Sequence, residues 1–206
     1  VEHGRADGMY ICTTGVGAID PRAELRPDRV RPGDRVLLSG PIGNHGMAIM
    51  LARAELEIEA DIRSDTRPLA ELTAALLDAA GGDLKWMRDA TRGGVATVLN
   101  ELARDAEVIV TIEEEAVPVD DDVRGACELL GLDPLQVANE GQFVAVVAAD
   151  VAEAALAALR RTPGGERACL LGVAGAGPLP RVLAKAAYGG VRVVDMLIGD
   201  PLPRIC

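Results

Sequence analysis

In LKWMRDATRGGVATVLNELARDA, residues 84–106, a short strand gives way to two glycines and then to a helix. LKWMRDAT (84–91) reads as the strand, and DATRGG (89–94) as the turn that ends it. VATVLNELARDA (95–106) returns an apolar residue every three or four positions, the period of a helix with one buried face. A strand that feeds a helix through a glycine turn is a unit of a layered fold in which helices cover a sheet.

Similar units lie on either side of it. DRVLLSG (34–40) reads as a strand, followed by the glycine loop GPIGNHG (40–46) and the helix GMAIMLARAEL (46–56). RPLAELTAALLDAAG (67–81) sets Leu69, Leu72, Leu76 and Leu77 along one side of a helix that stops at Gly81–Gly82. EVIVTIEE (107–114) alternates as a strand. VDDDVRGACELLG (119–131) is a helix with its acids in the first turn, where they suit the helix dipole. QFVAVVAAD (142–150) is an apolar strand, VAEAALAALRRT (151–162) a helix and ACLLGVAGAG (168–177) a strand. RVLAKAAYGGVRVVDM (181–196) reads as two strands joined at Gly189–Gly190, a tight hairpin. Hairpins among alternating strands and helices predict an α+β fold, a mixed β-sheet flanked by helices, over a purely parallel sheet. MYICTTG (9–15) is strand-like with nothing before it to pair with. PRAELRPDRVRPGDR (21–35) has the prolines and charges of a linker. IGDPLPRIC (198–206) should be an extended, weakly anchored tail, and eight extended residues reach roughly 25 Å.

Composition narrows the function. The 206 residues carry a net charge of −11 and are 49% hydrophobic, enough for a real core. An acidic chain without a basic stripe is a poor partner for nucleic acid, and 2% aromatics leave little to stack on bases. No stretch approaches the roughly 18 uncharged apolar residues of a membrane helix, and charges interrupt the first residues where a signal peptide would be apolar. A cytoplasmic location is expected. The four cysteines, Cys12, Cys127, Cys169 and Cys206, form no C-x-x-C pair, which argues against structural zinc. The first three sit in apolar runs and read as small buried hydrophobes. Cys206 ends the chain. Its thiol, on a tail beside the terminal carboxylate and Arg204, suits a carrier of a reacting group better than an activated nucleophile.

Three short motifs could carry chemistry. In DATRGG, glycines allow close approach of backbone to an anion, and the helix N-terminus offers unpaired N–H groups. Thr91 and Arg92 add a hydroxyl and a fixed cation suited to phosphate, and Asp89 could hold a metal. The alternative is an ordinary turn with Asp or Thr capping the helix. GPIGNHG, with His45, is either a second anion cradle or a capping loop. In ANEGQ (138–142), Glu140 beside Gly141 at the mouth of an apolar strand is either a general base or a solvated turn residue. The acidic runs 113–115 and 120–122 read as solvated faces and helix-start charges.

GPIGNHGMAIMLAR, DATRGGVATVLNELA, the NEG of ANEGQ and the terminal GDPLPRIC, in this order and at this spacing, resemble the hydrogenase maturation factor HypE family. Aminoimidazole ribonucleotide synthetase, selenophosphate synthetase and thiamine-monophosphate kinase are its relatives. The resemblance runs along the whole chain, and the PRIC ending is its most specific element. It implies the C-terminal domain of that superfamily at residues 33–195, a linker at 21–32, a tail at 196–206, and at 1–20 the remnant of an N-terminal ATP-binding domain. That domain would supply most contacts to ATP and Mg²⁺ and a homodimer interface, so that the isolated piece would not turn over ATP. The implied activity is ATP-dependent dehydration of a carbamoyl group on the terminal cysteine to a thiocyanate. The carbamoyl group comes from HypF, and the cyano group passes to iron on a HypC–HypD complex for the [NiFe] hydrogenase. By this resemblance Cys206 is the carrier and Glu140 accepts a proton. Asp89, Thr91, Arg92, Gly93, Gly94 and Asn139 line the cofactor site, with Asp89 a metal ligand. Without the resemblance, a non-catalytic module presenting Cys206 or another small-molecule kinase or synthetase fits the same residues.

Overall fold

The computed structural model describes residues 12–53 and 60–196. Their strands are β1 (Arg35–Leu38), β2 (Leu84–Asp89), β3 (Ile109–Glu113), β4 (Phe143–Val147), β5 (Cys169–Gly175), β6 (Arg181–Lys185) and β7 (Val191–Val193). The helices are α1 (Asn44–Arg53), α2 (Ala70–Ala80), α3 (Gly94–Ala106), α4 (Asp121–Leu130) and α5 (Ala152–Arg161). One seven-stranded sheet runs β2-β4-β1-β5-β3-β6-β7. β3 and β6 pair in parallel and the other neighbours pair antiparallel, so the sheet is mixed, as expected.

The period-2 alternation of the strands divides the core in two. Val36, Leu38, Val144 and Val146 point to one face, where they meet Val95, Leu99 and Leu102 of α3 and Val123 and Ala126 of α4. Leu37, Phe143, Ala145 and Val147 point to the other, against Leu72, Leu76 and Leu77 of α2 and Leu156 and Leu159 of α5. Every residue of β4 is buried because helices lie over both of its faces, which is why QFVAVV reads as a continuous apolar run. Burying a side chain such as Leu76 stabilises the fold by about 1.5–3 kcal/mol.

Some boundaries move. α1 begins at Asn44, two residues before the expected start. The β6–β7 hairpin turns through residues 186–190, a wider loop than a two-residue turn; the Ala186 N–H donates to the Gly190 carbonyl at 2.8 Å. Residues 12–15 of the strand-like MYICTTG form no strand and are exposed, so Cys12 is not the buried hydrophobe its sequence context suggests. Among the described residues no strand pairs with this stretch.

Residues 21–32 pack against the domain. The Arg26 N–H donates to the Lys85 carbonyl at 2.8 Å, Arg22 pairs with Asp78 at 2.7 Å, and Val30 enters the core. Lys85 stands where the β2–β4 register slips, between the pairs Leu84–Val147 and Trp86–Val146. Its ammonium bonds both oxygens of buried Asp34, at 2.7 and 2.9 Å. The tail IGDPLPRIC with Cys206, and His3, lie outside the described residues.

Candidate functional site

β1 and β2 end, and β4 begins, on the same side of the sheet, because both are antiparallel to β4. The three motifs therefore converge there. The Ala90 N–H donates to the Gln142 carbonyl at 3.0 Å, and the Asn139 N–H to the Ala90 carbonyl at 3.1 Å, stitching DATRGG to ANEGQ. GPIGNHG joins them through Asn139 Oδ1, which accepts from the Gly43 N–H at 2.8 Å.

Asn139 is fully buried, and its amide is spent on protein. Nδ2 donates to the Ala90 carbonyl at 2.9 Å and the Val137 carbonyl at 3.1 Å. The side chain expected at the cofactor is instead a brace that holds all three loops in place.

DATRGG remains open. The two glycines take left-handed backbone, φ 72° at Gly93 and 60° at Gly94. A Cβ on Gly94 would stand 2.5 Å from the carbonyl oxygens of Leu135 and Val137, so only glycine lets α3 begin this close to that loop. The Thr91 hydroxyl donates to Asp89 Oδ2 at 3.1 Å. Arg92 is exposed, and its guanidinium has no hydrogen-bond or ion-pair partner among the described residues. Arg92, a free cation, can receive phosphate oxygens. The Thr91 hydroxyl can join it on leaving Asp89, whereas the first N–H of α3, that of Gly94, donates to the Thr91 carbonyl at 3.0 Å. Asp89 can give one ligand to Mg²⁺. Among the described residues no three His, Cys, Asp or Glu side chains form a metal cluster, so further ligands would have to be phosphate oxygens, water or other chain.

The Glu140 carboxylate is partly exposed and has no hydrogen-bond or ion-pair partner among the described residues. Its turn is held by a segment that sequence reading passed over. Asp65 accepts the N–H groups of Glu140 and Gly141 at 3.1 and 3.2 Å. Arg67 donates to the Gly141 carbonyl at 2.9 Å, to Gln142 Oε1 at 3.1 Å and to the Gly164 carbonyl. The only sequence signal, Ser-Asp-Thr shortly before a helix, points to capping. No side chain caps α2, however, and these groups bond across the fold.

GPIGNHG is closed. Besides the Gly43 N–H, the Ile42 N–H goes to the Pro118 carbonyl and the Gly46 N–H to the Ala138 carbonyl, each at 3.0 Å. His45 is buried, with Nδ1 2.8 Å from the Ser64 hydroxyl. Asn44 donates to Asp120 at 2.8 Å, and Arg167 bonds the same carboxylate. Burial acts to raise the Asp120 carboxyl, but those two hydrogen bonds together with the Arg167 charge hold it below its ordinary value. This loop is a cap.

Thiol chemistry falls away from Cys127 and Cys169, each pushed up to about 11 chiefly by burial. A cavity of about 320 Å³ between residues 20–25, α2 and β2 includes none of the residues of the three loops.

An open turn with an unpartnered arginine is joined to a glutamate turn through a buried asparagine, and known proteins share the fold. The family described as AIR synthase related protein, C-terminal domain, matches residues 31–185. This chain belongs to that family. Carbamoyl dehydratase HypE of Azotobacter vinelandii is 50% identical over all 206 residues, which cover 60% of that protein. The chain superposes on hydrogenase maturation protein HypE in complex with ATP with a TM-score of 0.82, at 41% identity over 88% of this chain and 55% of that one. For the HypE–HypF complex the TM-score is 0.79, at 42% identity over 83% of this chain and 55% of that one. The chain spans about 60% of the length of the curated relatives it matches. Among the described residues no helix is long and apolar enough to cross a membrane.

Proposed function

We propose that this chain is the C-terminal part of an ATP-dependent carbamoyl dehydratase acting in hydrogenase maturation. The similarity to HypE along every residue carries the proposal, and the open DATRGG turn beside Glu140 supports it. Cys206 carries the carbamoyl group as a thioester-like S–C(=O)–NH₂. An amide oxygen is a poor leaving group. Moving the γ-phosphoryl of ATP onto it, with loss of one nitrogen proton, makes an O-phosphorylated imidate and ADP. Loss of the second nitrogen proton and departure of phosphate leave S–C≡N.

Each residue has a part in this scheme. Arg92 holds phosphate oxygens, Thr91 joins it when its hydroxyl turns from Asp89 to them, and Gly93 and Gly94 keep side chains out of the turn. Asp89 would give one ligand to Mg²⁺, whose role would be to screen phosphate charge. Glu140 accepts a nitrogen proton. Asn139 keeps the two turns together without touching the nucleotide. A further N-terminal domain would complete the ATP site and a homodimer interface. A cytoplasmic carbamoyltransferase, HypF, loads Cys206, and a HypC–HypD complex receives the cyano group for the iron centre.

The test is the intact mass of the complete protein after incubation with HypF, carbamoyl phosphate and ATP. One carbamoyl adduct that loses a water equivalent with ATP, absent from Cys206→Ala, is expected. No adduct on the wild type, with HypF shown to be active, overturns the proposal.

A further inference from the structure

A proton acceptor must stand at a fixed place, yet the Glu140 turn is held mostly from a distance. The segment 64–67 grips it. The Asp65 oxygens take the consecutive N–H groups of Glu140 and Gly141. The Arg67 fork takes the Gly141 carbonyl, the Gln142 side chain and the Gly164 carbonyl. Ser64 ties the segment back to α1 through the buried His45 ring, and its hydroxyl is also 2.7 Å from that of Thr66. Gln142 is buried and passes the grip to Ser39 at the end of β1, 2.7 Å away.

Two glycines are shaped around this segment. A Cβ at Gly141 would overlap the Asp65 carbonyl oxygen and come within 2.8 Å of Arg67 Cγ, and one at Gly164 would overlap the Arg67 guanidinium. Gly164 also has φ +86°. The arginine thus fills a slot between two loops that side chains on either would close. Its hydrogen bonds go to neutral oxygens, which give direction and not neutralisation.

We propose that Asp65 and Arg67 are positioning residues for Glu140, fixing its backbone on both sides so that the carboxylate keeps one approach to the carbamoyl nitrogen. This rests on the reading of Glu140 as proton acceptor. A shift of about 1 Å in a reacting group can lower a rate on the order of a hundredfold. Asp65→Asn keeps an oxygen for one of the two N–H groups and releases the other, so the turn is loosened without being abolished.

The experiment is a double-mutant cycle of Asp65→Asn and Glu140→Gln in the complete protein. It reads the single-turnover dehydration rate by mass, the KM for ATP, and amide exchange at Gly141. Asp65→Asn is expected to lower the rate about tenfold with KM for ATP unchanged, and to speed exchange at the Gly141 N–H. In the Glu140→Gln background the same change should alter the residual rate by less than about twofold, because the group being positioned is gone. Equal losses in both backgrounds, or no loss in either, overturn the positioning role. A wild-type rate for Glu140→Gln overturns the proton-acceptor reading, and that single variant reveals it on its own. If Asp65→Asn does not fold, Arg67→Lys, which keeps the charge and loses the fork, replaces it in the same cycle.

Discussion

GPIGNHG and DATRGG share a pattern: a strand, a glycine-bearing turn, then a helix. In the first, the Ile42, Gly43 and Gly46 N–H groups are used by Pro118, Asn139 and Ala138. In the second, Gly94 serves the close approach of α3 to the 135–137 loop, Gly93 makes room for the Thr97 side chain, and Arg92 stays free of protein partners among the described residues. Glycine before a helix therefore signals a tight backbone. Whether that backbone meets a ligand or the protein itself depends on what the fold brings opposite it. Asn139 is the hinge of the contrast, since the same side chain closes the first turn and supports the second from behind.

The most damaging way to break the contrast is Gly94→Ala. A methyl group 2.5 Å from two backbone carbonyls, on a residue with positive φ, cannot be relieved by side-chain rotation. A loss of about 3 kcal/mol or more is expected, read as a lower midpoint in urea; a midpoint near that of the wild type would show that α3 can shift cheaply.

Asn139→Ala should cost somewhat less, about 2–3 kcal/mol, because it strands the Gly43 N–H and the Val137 carbonyl in a buried place. Amide exchange at Gly43 should speed up in that variant. Protection equal to the wild type would mean the first turn is closed by something other than Asn139.

Arg92→Ala should leave stability within about 0.5 kcal/mol of the wild type, as surface substitutions usually do. In the complete protein it should weaken ATP binding about tenfold, the loss of one charge-assisted contact of about 1.5 kcal/mol. Calorimetric titration with ATP sharpens the contrast if affinity falls while the unfolding midpoint holds. It breaks the contrast if affinity is unchanged.

By itself the sequence determined the order of elements, the mixed sheet and the glycine that stops α2, and it offered three turns as candidates for chemistry. All of these follow from local signals: a period of two or 3.6, a glycine at a helix end, a proline that starts a loop. Glu140 was legible as a candidate because a carboxylate stands beside glycine at the mouth of an apolar strand, and Arg92 because a fixed cation stands in a glycine turn before a helix. The sequence could not say that Asn139 is a brace, that GPIGNHG is closed or that Asp65 and Arg67 hold the glutamate turn. Those facts are hydrogen bonds between residues 43 and 139, 65 and 140, and 67 and 164, which are 96, 75 and 97 positions apart. A pattern read over one helical turn has no access to such pairs. Only the packing of β1, β2 and β4 with their ends together decides which polar groups meet each other and which are left for a ligand.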